Sequence, residues 1–222
     1  MDFVLDLSDL NTGRFIIVGD IKGDYPRFMN MMYQQRFDYK DTLIMTGNFI
    51  DEEDPRSIET ILFLKNNMNV YSVKGKDEFN LLRKESEDRP LWLKDYPKTE
   101  EIIKFIDELP LIIKVSDYIY VVNAGIQPTK PIEEQDPEVF YSIGEYDKDS
   151  RFYQFDNPEE KSWYEFDIYE GSRLLKFCFS NVNVNKIEVP AGYCLGRNVS
   201  TRSILGLIVV PGQDSPLLIE SN

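Results

Sequence analysis

The residues best placed to do chemistry in this 222-residue chain lie in three short glycine-containing stretches. They read Gly19-Asp20-Ile21-Lys22-Gly23, Gly47-Asn48-Phe49-Ile50-Asp51-Glu52-Glu53 and Gly75-Lys76-Asp77-Glu78. Carboxylates mixed with lysines offer more than one chemistry. Asp20, Asp51, Asp77 and Glu78 could hold a single magnesium ion through oxygen, since that ion needs no imidazole. Lys22 and Lys76, with Arg202 further on, could instead attract one anion, or a lysine of lowered pKa could act as base or nucleophile. The acids Glu52, Glu53 and Asp54 weigh against an electropositive pocket for a phosphate ester. Histidine is absent from the sequence, which removes Ser-His-Asp and Cys-His catalysis and every histidine-ligated metal site. Cys178, in the mostly apolar run Leu174 to Phe179, and Cys194, between Gly192 and Gly196, read as buried thiols and are too few for a disulfide framework.

Each glycine stretch follows a short β-rich run. Phe15 to Val18, Thr42 to Met45 and Val70 to Val73 read as strands. Helices are expected from about Pro26 to Gln35, with Phe28, Met31 and Met32 at helical spacing, and from near Pro55, with Ile58, Ile61, Leu62 and Leu64 on one face. Three βα units imply parallel strands with helical crossovers, and sites in such sheets form outside the strands' carboxyl ends. The three loops should therefore converge. Beyond Asp77 the character changes. Thr99 to Glu108 reads as a helix with Thr99 as N-cap. Leu111 to Val115 and Tyr118 to Val122 read as a hairpin around Ser116-Asp117, and Leu174 to Phe179, Ile187 to Val189, Ile204 to Val210 and Leu217 to Glu220 as further strands. Parallel units followed by antiparallel strands give an α/β fold of two packed, mixed sheets with helices outside. No linker divides the chain, so residues 1–222 are expected to form one domain.

Composition narrows the partners. A net charge of -14 repels phosphate backbones and anionic lipid, so no nucleic-acid or membrane role is expected. The acidic start MDFVLDLSDL lacks a secretory signal's basic residues, and no apolar run is long enough to span a bilayer. The expected location is the cytoplasm.

The three stretches, in this order and spacing, resemble the motifs of the calcineurin-like metallophosphoesterases. The likeness is to the branch holding serine/threonine protein phosphatases and bacterial diadenosine tetraphosphatases. Val122-Asn123-Ala124-Gly125, after Leu109-Pro110-Leu111, falls where that family has VHAG, Phe179-Ser180-Asn181-Val182 where it has GHT, and Ala191-Gly192-Tyr193 resembles the glycine turn that follows. The match runs from about residue 14 to 210, with an aromatic-acidic insertion at about 129–172, and it implies an αββα sandwich.

The resemblance also implies a two-metal site, and the residues at its positions have changed. Asp20 keeps an aspartate ligand. Lys22 stands for a histidine ligand, Asn48 for the bridging aspartate, Lys76 for an asparagine ligand and Asp77 for the catalytic histidine. Asn123 and Asn181 replace two further histidines; Asp51 survives, but Glu52 stands where an arginine would grip phosphate. Protonated lysines cannot coordinate cations, and a lost bridging carboxylate leaves two metals to repel each other. The expectation is thus a chain that is not an enzyme, with no metal or cofactor, acting as a binding or regulatory protein. The alternatives are a phosphoesterase with one oxygen-ligated metal and a sensor for a phosphorylated ligand. Lys22 and Lys76 either reach toward Asp20 and Asp77, closing the old site as a network, or point to solvent. A protein partner is expected, and the candidate contact surface is Phe152, Tyr153, Phe155, Trp163, Tyr164, Phe166 and Tyr169. The competing reading of those rings is that they are core.

Overall fold

The computed structural model describes residues 3–128, 130–142, 145–146, 153–154, 162–180, 187–197, 201–213 and 215–221. The chain opens with β1 (Val4–Asp6) and β2 (Phe15–Val18), then α1 (Tyr25–Gln34), β3 (Thr42–Met45), α2 (Ser57–Asn66) and β4 (Val70–Ser72). Three helices follow, α3 (Lys76–Leu82), α4 (Leu91–Lys94) and α5 (Thr99–Asp107), and then the hairpin of β5 (Ile112–Lys114) and β6 (Ile119–Val122). The remainder is β7 (Glu145–Tyr146), β8 (Tyr153–Gln154), β9 (Ile168–Glu170), β10 (Arg173–Phe179), β11 (Glu188–Val189), β12 (Gly192–Cys194), β13 (Leu205–Val209) and β14 (Leu217–Glu220).

Two mixed sheets pack face to face. One runs β14-β13-β2-β3-β4, and the other β1-β5-β6-β10-β12-β11 with β9 on β10. The pleat divides each strand between two cores. Ile16 and Val18 of β2 join Phe28, Met31, Ile61, Leu81, Ile102 and Ile106 beneath the helices, while Phe15 and Ile17 meet Ile113, Val121 and Leu207 between the sheets. On the far side, Tyr120 and Val122 of β6 pack with Phe140, Trp163 and Phe177 under short 3-10 turns. Each fully buried side chain of this kind contributes roughly 1.5–3 kcal/mol.

Most expected elements form within a residue or two of their expected ends. The differences have local causes. α3 begins at Lys76, within the third glycine stretch rather than after it: Gly75 is its N-cap, and Asp77 and Glu78 fill its first turn. Thr99 does not cap α5; its hydroxyl donates backward to the Leu93 and Tyr96 carbonyls, and the N-cap is Lys98. The second sheet is not antiparallel throughout, because β10 runs parallel to both β6 and β12. β1 was not expected; its short VLD run pairs in parallel with β5 at the sheet edge.

Parallel pairing aligns the site. Val18, Met45 and Ser72, the last residues of β2, β3 and β4, are register partners, so the three loops leave the sheet at one level. β6 and β10 deliver Asn123 and Ser180 from the other sheet, with the Ser180 N–H donating to the Asn123 carbonyl at 2.9 Å.

Candidate functional site

The three loops meet at the carboxyl ends of β2, β3 and β4. Close backbone approach requires glycine here: a Cβ on Gly19 would lie 1.6 Å from the Leu195 carbonyl oxygen, and one on Gly75 would lie 2.5 Å from the Asn48 nitrogen. Two of the loops are also strained. Lys22 (φ 51°) and Asn48 (φ 52°) sit in the left-handed region, as does Arg202 (φ 55°) ahead of β13; that region costs a residue with a Cβ about 1–2 kcal/mol. Such strain persists where surrounding contacts enforce it, often at functional positions.

Glu78 is the clamp. Fully buried in the first turn of α3, it accepts the N–H groups of Asn48 (2.8 Å), Phe49 (2.9 Å), Ile50 (3.2 Å) and Gly75 (2.9 Å). Burial, with help from Asp77, pushes its carboxyl up to about 7, against these donors, which favour the charged form. Two asparagines close the same helix end. Asn48 Oδ1 accepts from the Asp77 N–H at 3.2 Å, and Asn123 Oδ1 accepts from the Lys76 N–H at 3.1 Å while its Nδ2 donates to the Thr46 carbonyl. Their carboxamide oxygens thus satisfy amides that α3 would otherwise leave unpaired.

Asp20 is buried beside them. Burial raises its carboxyl to about 6, a rise that Lys22 opposes. Its Oδ1 makes no hydrogen bond of standard geometry, and neither does Asn48 Nδ2. Lys22 donates from Nζ to Asp77 Oδ2 at 2.6 Å. Burial works against its charge, but Asp20 and then Asp77 outweigh it, so the ammonium pKa is raised and the group stays charged at neutral pH.

The sequence-derived positions separate into distinct roles. Asp20, Lys22, Asn48, Asp77 and Asn123 converge, whereas Lys76 keeps only its backbone there, its side chain being exposed. The lysine-aspartate network therefore forms through Lys22 alone. Asp51 lines the cleft, with Oδ1 taken by the Glu53 N–H, while Glu52 turns aside to Lys84 at 2.6 Å. Asn181 lies outside the described residues.

Among the described residues the donor set does not fit a two-cation centre. Lys22 brings an ammonium, the asparagine oxygens and Glu78 are engaged by backbone amides, and Asp77 is engaged by Lys22. The single magnesium site weighed above fares no better: among the described residues no group of three His, Cys, Asp or Glu is arranged to hold an ion.

The cleft itself corrects another expectation. It encloses about 440 Å³ and is lined by Lys22, Arg27, Arg56, Arg197 and Arg202 against Asp24, Asp51 and Asp54; with Asp77 counted as the partner of Lys22, one positive charge is in excess. Glu52 and Asp54 do not make it acidic, because Glu52 faces Lys84 and Asp54 pairs with Arg56. Arg197 donates to Asp24 at 2.6 Å and to the Arg202 carbonyl at 2.9 Å, and Arg27 also donates to that carbonyl. Sequence reasoning missed Arg27, Arg56 and Arg197. They come from three separate segments and carry no local motif; Arg202 was the one named.

Among the described residues the aromatic stretch does not present an exposed cluster. Trp163 is buried, its ring 4.7 Å from that of Phe179 and 6.0 Å from that of Phe177, because it fills the outer face of β10. Tyr164 and Phe166 are half-buried, and Tyr169 is exposed. Tyr153 belongs to β8, and Phe152 and Phe155 lie outside the described residues. Cys178 and Cys194 are both buried, and burial pushes the Cys178 thiol up to about 12. Among the described residues no helix is long and apolar enough to cross a membrane.

Residues 13–171 match the calcineurin-like phosphoesterase family. The symmetrical bis(5'-nucleosyl)-tetraphosphatase of Nitrosococcus oceani is 30% identical over 121 residues, 50% of this chain and 43% of that protein. This chain thus spans less than half the length of that relative. A protein of the same name from Wigglesworthia glossinidia brevipalpis is 24% identical over 196 residues, 78% of this chain and 72% of its own. Among solved structures, a candidate diadenosine tetraphosphatase superposes with a TM-score of 0.77 at 22% identity, covering 99% of this chain and 98% of that one. A Saccharomyces cerevisiae protein serine/threonine phosphatase superposes with a TM-score of 0.57 at 15% identity, covering 99% and 82%. At these identities the structural likeness is one of fold. The relatives are named for an enzymatic activity, which overturns the expectation that the chain is not an enzyme. Missing ligands bear on how a metal could be held, not on the class of protein.

Proposed function

Because the chain belongs to the calcineurin-like phosphoesterase family, we propose that its cleft binds the phosphate chain of a nucleotide, the class of ligand for which its curated relatives are named. One observation carries this reading: five cationic side chains from three segments of the chain line one cleft of a protein whose net charge is -14. In a chain this acidic, a concave positive surface is where a phosphate anion meets favourable potential, and low-dielectric walls focus the field there. Lys22 sits on the floor at the strand ends, and the exposed Arg202 stands at the rim.

The test is calorimetric titration of the purified chain with diadenosine tetraphosphate, ATP and uncharged adenosine. Saturable binding of the phosphorylated probes, weakening as salt rises and absent with adenosine, is the expected result. Binding of adenosine as strong as that of ATP would overturn a phosphate-directed site, as would no response to any probe. Product release followed in the same samples, with and without added manganese, measures turnover directly.

A further inference from the structure

Among the described residues, positive charge beside Asp20, where the resemblance implies metal, comes from the Lys22 side chain. Lys22 adopts a left-handed backbone (φ 51°), and its N–H donates to the Asn48 carbonyl at 3.0 Å, so the loop is held in a costly shape that directs the side chain inward. Nζ reaches Asp77 at 2.6 Å and lies close enough to the buried Asp20 to act on its charge. Oxygens that could have held a cation face the amides of α3 instead. Asp20 Oδ1 and Asn48 Nδ2, both buried, make no hydrogen bond of standard geometry, though Asn48 and Ser180 lie near enough to Asp20 to favour its charged form.

We propose that Lys22 is a resident cation: its ammonium, held by Asp77 beside Asp20, takes the place of a divalent metal and lets the cleft bind a phosphate group without one. An ammonium has three donors, so the bond to Asp77 leaves two for ligand oxygens, as charge-assisted hydrogen bonds. A cation built into the chain cannot be removed by a chelator. The inference rests on the reading of the cleft as a phosphate site, and the experiment separates the two.

Inorganic phosphate and diadenosine tetraphosphate are titrated into the whole chain in excess EDTA, then in excess manganese. Affinities agreeing within about twofold are expected, with about a tenfold loss in Lys22→Met and retention in Lys22→Arg, as one charge-assisted contact requires. Circular dichroism melts of both variants identify any that fail to fold, and Lys22→Arg keeps the charge while changing the packing. Binding that appears with manganese alone, or a folded Lys22→Met that binds as tightly as the parent, overturns the resident cation and leaves the cleft standing. Absence of binding under either condition overturns the cleft itself.

Discussion

Lys22, in the loop after β2, and Asp77, in the first turn of α3 after β4, meet at 2.6 Å across 55 residues of sequence, from strands separated in their sheet by β3. Both side chains are about a third exposed, at 34% and 28%. The pair is therefore worth less than about 1 kcal/mol to stability, and its importance lies in the charge it fixes at the cleft floor.

Asp77→Asn follows from that balance. Removing the carboxylate leaves the ammonium without its counter-charge, so phosphate affinity should rise about threefold to fivefold, the equivalent of roughly 1 kcal/mol, the Coulomb energy of two unit charges about 4 Å apart in water. The unfolding midpoint should barely move. Titration calorimetry decides it: weaker binding would mean that Asp77 serves chiefly to position Lys22.

Arg202→Gln tests the rim. The side chain is exposed and lines the cleft, so its loss should weaken ATP binding about tenfold, with a flatter dependence on salt. The same variant should unfold at the parent temperature, since no buried contact is lost.

The pH dependence of stability has a definite sign. The Asp20 carboxyl rises from 3.8 to about 6 on folding and that of Glu78 from 4.5 to about 7, both mainly by burial. Between the unfolded and folded values the native state binds more protons, so stability falls as pH rises through that window. For Asp20 the loss is on the order of 3 kcal/mol between about pH 4 and pH 6. Urea unfolding of the parent and of Asp20→Asn across this range should show the variant losing less. Identical slopes would place Asp20 in a wetter environment than its burial implies.

Glu78→Gln should cost about 2–4 kcal/mol. One acceptor oxygen is lost and an amide group is turned toward backbone donors that stay buried and unpaired. The urea midpoint measures this, and amide exchange at Asn48, Phe49 and Ile50 should accelerate more than exchange in β13.

Trp163→Ala separates core from surface. The ring fills the outer face of β10, so the cost should be about 3–5 kcal/mol of stability. A melting temperature like the parent's would return Trp163 to the candidate contact surface.

Local signals carried much of the fold. Apolar runs ending in glycine located β2, β3 and β4, and helical spacing located α1 and α2, because strand and helix periods are written in neighbouring residues. The same loops located the site: Asp20, Lys22, Asn48 and Asp77 were legible because three parallel strands must end side by side. Tertiary structure decided how those residues are used. Sequence left Lys22 and Lys76 equivalent, yet one holds Asp77 and the other faces solvent, since backbone direction at each loop sets where a side chain points. It likewise turned Asn48 and Asn123 into caps for α3 and drew Arg27, Arg56 and Arg197 into one cleft. Charge adds up over space rather than along the chain, so a basic cleft could form in an acidic sequence from residues with no motif in common.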